Sequence, residues 1–209
     1  MFSLNESIEG SPRPINVKLP PGSSAESVDV RYPTDAEWCE RIRNFRIVHA
    51  ASGRNYKRVG DNRPAVSQEL FKKICLNGHG ETIDEAEAFY VIDRLERSQC
   101  IGVERSGDLF QVQLRVQGGI TVHVLKAPTQ KRVLEYKRAV SPEPTVRNGK
   151  IESRGRLEPA GQLYDDLIQM RAQGYSAGVP IIHKDQVLSA LLLEMDAIAN
   201  DEEDDFPED

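Results

Sequence analysis

The chain has 209 residues and a mass of 23.4 kDa, with 39% hydrophobic and 29% charged residues and a formal net charge of −6. That is room for one large domain or two small ones. No apolar run approaches the roughly 20 residues of a membrane span, and three scattered cysteines, Cys39, Cys75 and Cys100, exclude a disulfide framework and a CxxC zinc site. The opening MFSLNESIEGSPRP lacks the basic and apolar regions of a signal peptide, so the expected location is the cytoplasm.

Residues 1–14 are polar and contain Pro12 and Pro14, which reads as a flexible arm. Ile15–Leu19 and Val28–Tyr32 alternate apolar and polar around Pro20-Pro21-Gly22-Ser23-Ser24, the pattern of two half-buried strands and a turn. Thr34 then caps a helix, with Glu37 at the capping-box spacing. Trp38, Ile42 and Phe45 share one helical face, and the helix is expected to run to Ser52-Gly53. Gly53–Pro64 reads as a basic polar loop and Val66–Leu76 as a short amphipathic helix, before a break at Asn77-Gly78-His79-Gly80. Thr82, with Glu85, is expected to cap the next helix, whose apolar face is Ala88, Phe89, Ile92 and Leu95. Cys39 and Cys75 fall on apolar-periodic helices and are expected buried and free.

Ile101–Arg105, Leu109–Val116 and Ile120–Leu125 predict a three-stranded sheet, its hairpin turning at Gln117-Gly118-Gly119. Gln130–Val140 predicts a helix with Val133 and Leu134 inward. Ser141–Glu158 reads as a long connection, Gln162–Ala172 as a short helix and Lys184–Ala197 as the most apolar helix. The tail 199–209 is acidic and expected to be disordered.

These elements occur twice. Val17, Leu19, Pro33, Thr34, Glu40 and Arg43 each find the same residue 95 positions on, at Val112, Leu114, Pro128, Thr129, Glu135 and Arg138. SQELFKKIC (67–75) is echoed by AGQLYDDLI (160–168), with Phe71 opposite Tyr164. Fixed-offset self-similarity is the mark of internal duplication. The expected fold is therefore α+β, a tandem duplication of a β-hairpin or small antiparallel sheet followed by two or three helices, over residues 15–99 and 100–198.

No catalytic constellation emerges. His49, His79, His123 and His183 stand beside no nucleophile and in no HExxH spacing. An enzyme would require His79, His123 or His183 to converge with carboxylates. Cys75 and His79 lack a second close pair for a metal, and no cofactor motif is present. The uneven charge is more informative. Residues 41–73 hold nine basic residues against Asp61 and Glu69, an excess of seven, while 196–209 hold eight acidic residues and no basic one. The candidate partner-binding residues are Arg54, Tyr56, Lys57, Arg58 and Arg63 in the basic loop and Phe206 in the tail.

The run VKLPPG (17–22) followed by VDVRYPTDAEW (28–38) resembles the start of small tail-assembly proteins of tailed bacteriophages, over Ile15–Arg43 and again over Val112–Arg138. The resemblance implies a non-enzymatic, chaperone-like virion assembly protein that binds a tail or other virion protein in the host cytoplasm or virion, self-association included. It carries over no catalytic residues. The alternative is a nucleic-acid-binding regulator using the basic 41–73 segment, with Tyr56 stacking on a base.

Overall fold

The computed structural model describes residues 14–52, 55–116, 119–140, 145–147, 150–176 and 178–204. Its elements, in chain order, are β1 (Ile15–Lys18), β2 (Ser27–Val30), α1 (Asp35–Asn44), β3 (Arg46–Ser52), β4 (Asn55–Asp61), α2 (Arg63–Ile74), a 3-10 turn (His79–Glu81), α3 (Glu85–Gln99), β5 (Cys100–Ser106), β6 (Leu109–Val116), β7 (Gly119–Lys126), α4 (Gln130–Val140), β8 (Thr145–Arg147), β9 (Lys150–Arg154), α5 (Glu158–Leu167) and α6 (Ile181–Asp204). The fold is α+β, with every strand pairing antiparallel. Among the described residues no helix is long and apolar enough to cross a membrane.

The chain forms two compact units, residues 1–97 with 141–155, and residues 98–140 with 156–209. The sequence boundaries placed 141–155 with the second half. Its strands instead join the first unit, because β9 pairs with β3.

In the first unit, β1 and β2 form a hairpin with Ile15 opposite Val30. Val30 also bridges to Cys75, just past α2, through Arg31 N–H to Ile74 O (3.0 Å) and Leu76 N–H to Asp29 O (2.8 Å). That ties the end of α2 to the hairpin edge. Thr34 and Glu37 make the expected capping box on α1. The Arg31 guanidinium, bonded to both Glu37 oxygens at 2.9 and 2.7 Å, holds that carboxyl down to about 2. Trp38 is buried, and so is Arg41, which lies over the Trp38 and Phe45 rings and donates to Ser67 and Glu96.

The second unit has the sheet β5-β6-β7. Phe110, Val112 and Leu114 of β6 and Leu125 of β7 face a core completed by Leu163, Tyr164 and Leu167 of α5 and Val187, Leu188 and Leu191 of α6. Alternation along β6 puts every second side chain inward. Here Leu125 bridges to Ile168, just past α5, and Gln169 N–H donates to Val124 O at 2.9 Å.

The two halves of the sequence share an element order of hairpin, helix, hairpin, helix, helix. They also share register at the 95-residue spacing. Ile15 opposes Val30 as Phe110 opposes Leu125, and Ala51 opposes Tyr56 as Val146 opposes Ile151. The spacing falls to 93 within the fourth element, because α5 has 10 residues where α2 has 12.

Several expectations are corrected. α1 ends at Asn44, where Phe45 turns extended, and Arg46–Ser52 is a strand. The basic loop 53–64 and the connection 141–158 contain β4, β8 and β9. Asp84, not Thr82, heads α3. Its carboxylate accepts from Glu87 N–H and Glu87 accepts from Asp84 N–H. α5 begins at Glu158, with a proline in its first turn. Leu134 is exposed, and Cys39 and Cys75 are only half-buried. α6 runs to Asp204, into the segment expected to be disordered.

Gly155 follows β9 and donates its N–H to Phe45 O at 3.2 Å. A Cβ there would meet the Ile42 carbonyl well inside contact distance, whereas one on Gly60 would sit 3.5 Å from Val48. Replacement G155A is therefore expected to cost about 1–3 kcal/mol and G60A to stay within about 0.5 kcal/mol. Urea unfolding read by the fluorescence of Trp38, the sole tryptophan, checks the contrast.

Candidate functional site

Two regions bring chemistry-bearing residues together. The first is the four-stranded sheet of the first unit, in the order β4-β3-β9-β8. Directly opposed residues share a face. Ala50 opposes both Lys57 and Lys150, and Lys150 opposes Arg147. One row across the four strands thus reads Lys57, Ala50, Lys150, Arg147. Among the described residues no side chain of this sheet is buried. Lys57, Arg58 and Lys150 are exposed, and Val59 stands 55% exposed where the β3–β4 register shifts. A sheet with a core needs one apolar face against another layer, and among the described side chains of this one Ile47–Ala50 are no more than half-buried.

The basic candidates do not all remain available. Asp61 receives Arg63 at Nε (3.0 Å) and Nη2 (2.7 Å), and Arg58 Nη1 at 3.2 Å. Those bonds, Arg63 first, hold the Asp61 carboxyl below the usual carboxylate range. Arg41 is buried against Glu96, Lys72 pairs with Glu81 and Lys73 with Glu40. Five of the nine basic residues of 41–73 are thereby held by carboxylates. Lys57 stays exposed on the sheet. Arg54, Phe206 and the side chain of Tyr56 lie outside the described residues.

The second region lies in the second unit, where His123 of β7 is fully buried. Its Nδ1 is 2.7 Å from the Tyr164 hydroxyl of α5, and its Nε2 is 3.1 Å from Thr121 Oγ1 and 3.3 Å from the Tyr175 hydroxyl. Tyr175 in turn lies 2.9 Å from Nδ1 of His183, on α6. Thr121 donates to Leu114 O, so its oxygen accepts from His123 Nε2–H, and Nδ1 is left to accept from Tyr164. Burial first, and the nearby His183 second, push His123 down to about 4, and burial drives the Tyr164 phenol well above its ordinary value. A cleft of about 430 Å³ opens beside this network, with Tyr164, Asp165, Met170, Arg171, Tyr175 and Lys184 in its lining. Asp165 there is gripped by Lys184 at 2.6 and 2.7 Å.

Of the three histidines named for convergence, His123 and His183 come together and His79 does not; His123 meets hydroxyls, not a carboxylate. Among the described residues no three histidine, cysteine, aspartate or glutamate side chains group to hold a metal ion. Sequence reasoning had not linked the histidines to Tyr164 and Tyr175. The signal was the spacing of 93 to 95 residues, at which His123 falls opposite Val28 and Tyr164 opposite Phe71, both buried. The matching positions are two buried apolar residues in the first half and a hydrogen-bonded pair in the second.

No family model matches the chain, and no curated protein or solved structure matches it either.

Y164F leaves a buried imidazole nitrogen without its donor, which costs about 1–3 kcal/mol. The double change H123V/Y164F removes both polar partners, leaving the residue types found at the matching buried positions of the first half, and is expected to cost less than Y164F alone. Urea unfolding followed by circular dichroism measures both; a double mutant no more stable than Y164F contradicts the hydrogen-bond assignment.

Proposed function

We propose that this chain is a non-catalytic interaction protein built from a duplicated hairpin–helix module, acting in assembly of a phage or prophage virion. The observation that carries the proposal is the four-stranded sheet. Among the described residues it has no buried side chain, and its outer strands β4 and β8 each pair on one side only. Small sheets without a packed face have little stability of their own, and an unpaired strand edge is a template for another chain. A sheet held out in this way fits a protein that docks on a protein partner. The resemblance of Ile15–Arg43 and Val112–Arg138 to tail-assembly proteins points to a tail or other virion protein, met in the host cytoplasm and retained in the virion or released from it.

The row Lys57, Lys150, Arg147 favours a second reading, in which the sheet holds nucleic acid phosphates. Against it stands the pairing of Arg41, Arg58, Arg63, Lys72 and Lys73 with carboxylates. Phosphate binding grows with the number of phosphates neutralised, so the few cations left on this sheet hold nucleic acid only weakly.

A pull-down from the native host or infected cells, at low and high salt, separates the readings. The baits are the full chain, a chain ending at Asn200, and K57E/K150E. Recovery of a virion protein at both salts is the expected result, and its loss with the truncation assigns the contact to the acidic tail. Nucleic acid recovered at low salt only, and lost in K57E/K150E, moves the function to the second reading. Recovery of neither removes the sheet as a docking surface.

A further inference from the structure

The segment 168–175 crosses from α5 back along the edge of β7. It is held there by Gln169 N–H to Val124 O (2.9 Å), Gln173 N–H to Val122 O (3.0 Å) and Val122 N–H to Gln173 O (3.3 Å). Its one side-chain anchor into the buried network is Tyr175, through His123, Thr121 and His183. The first half holds the corresponding edge with Leu76 N–H to Asp29 O, over buried Val28 and Phe71.

We propose that the second unit carries an acid-release device that the first unit lacks, in which protonation of His123 breaks its bond from Tyr164 and frees the 168–175 segment from β7. The neutral ring uses Nδ1 as an acceptor and Nε2–H as a donor. A proton added at Nδ1 puts a donor against the Tyr164 O–H. That hydroxyl must then turn to accept, with its own proton left to find an acceptor in a buried site. The groups facing His123 are Thr121 of its own strand, with Leu114 O of β6 behind it, Tyr164 of α5, Tyr175 of the 168–175 segment and His183 of α6. Nearby Asp165 of α5 is committed to Lys184, which also lies over the Tyr164 ring, and Asp185 acts on Tyr136. None of the groups bonded to His123 is an anion that would welcome an imidazolium, and His183 opposes one.

The direction follows from linkage. A histidine whose folded value lies near 4 and whose open value is the ordinary 6.5 takes up a proton on opening. The closed form is favoured in full above about pH 6.5, and the preference is lost as pH falls toward 4. Between pH 7 and pH 5 the opening equilibrium rises about twenty-fold.

Native-state hydrogen exchange at pH 7 and pH 5, corrected for intrinsic rates, reads this on the full chain. Protection of the Gln169 and Gln173 amides is expected to fall about twenty-fold while that of Leu76 holds, and H123V is expected to abolish the fall. An equal loss at Leu76, or a loss that persists in H123V, overturns the proposal. The wild-type His123 resonance, followed by NMR, tests it without any variant. Titration well below the ordinary range coincident with release is expected, and titration near 6.5 with Gln169 and Gln173 still protected overturns it.

Discussion

The backbone bonds that return the chain to its first hairpin set the rest of the architecture. In the first half the residues around Cys75 bond to β2, and in the second the residues around Ile168 bond to β7. Each return fixes where the preceding helix ends and therefore which of its faces meets the sheet. It also leaves the intervening hairpin, β3–β4 or β8–β9, outside the closed loop. Those hairpins carry no core position among the described residues, and they pair with each other through β3 and β9. The packed parts and the exposed sheet thus follow from one closure repeated at a spacing of 93 to 95 residues.

Within that shared scaffold the two halves differ in chemistry where they are most alike in position. Val28 and Phe71 need nothing from their neighbours beyond shape. His123 and Tyr164 occupy the matching sites and require a complete set of donors and acceptors. A core tolerates such an exchange only when the network is satisfied, and Thr121, Tyr175 and His183 complete this one.

The legible parts of the sequence were those that bury one face. Leu109–Val116 was read with the bounds it has, because alternation reports a buried side; Gln130–Val140 also has the expected bounds, although among its described side chains none is more than half-buried. Asn55–Asp61 and Lys150–Arg154 gave no such pattern, and the described side chains Lys57, Arg58, Val59 and Lys150 are exposed whether apolar or charged. Only turn chemistry marked them, in the Asn148-Gly149 dipeptide between the paired Arg147 and Lys150. The expected α1 ran too long, to Ser52-Gly53, although the β-branched run Ile47-Val48 past Phe45 suits a strand. At the candidate sites, the basic residues were visible but their carboxylate partners were not. Arg41 meets Glu96 from 55 residues away, a pairing that tertiary structure alone creates.

The order β4-β3-β9-β8 places the two hairpins in the same sense, each leading with its second strand. A two-fold arrangement would have made the outer strands equivalent. Instead the sheet is a polar ribbon with a head and a tail, so a molecule approaching one margin meets a different strand from one approaching the other. The β4 margin carries Lys57 and Arg58, cations of the kind that keep strand edges from pairing indiscriminately. Ahead of β8 the chain has Pro142 and Pro144, which possess no N–H to offer another strand. Charge thus guards the β4 margin, where Lys57 and Arg58 are exposed.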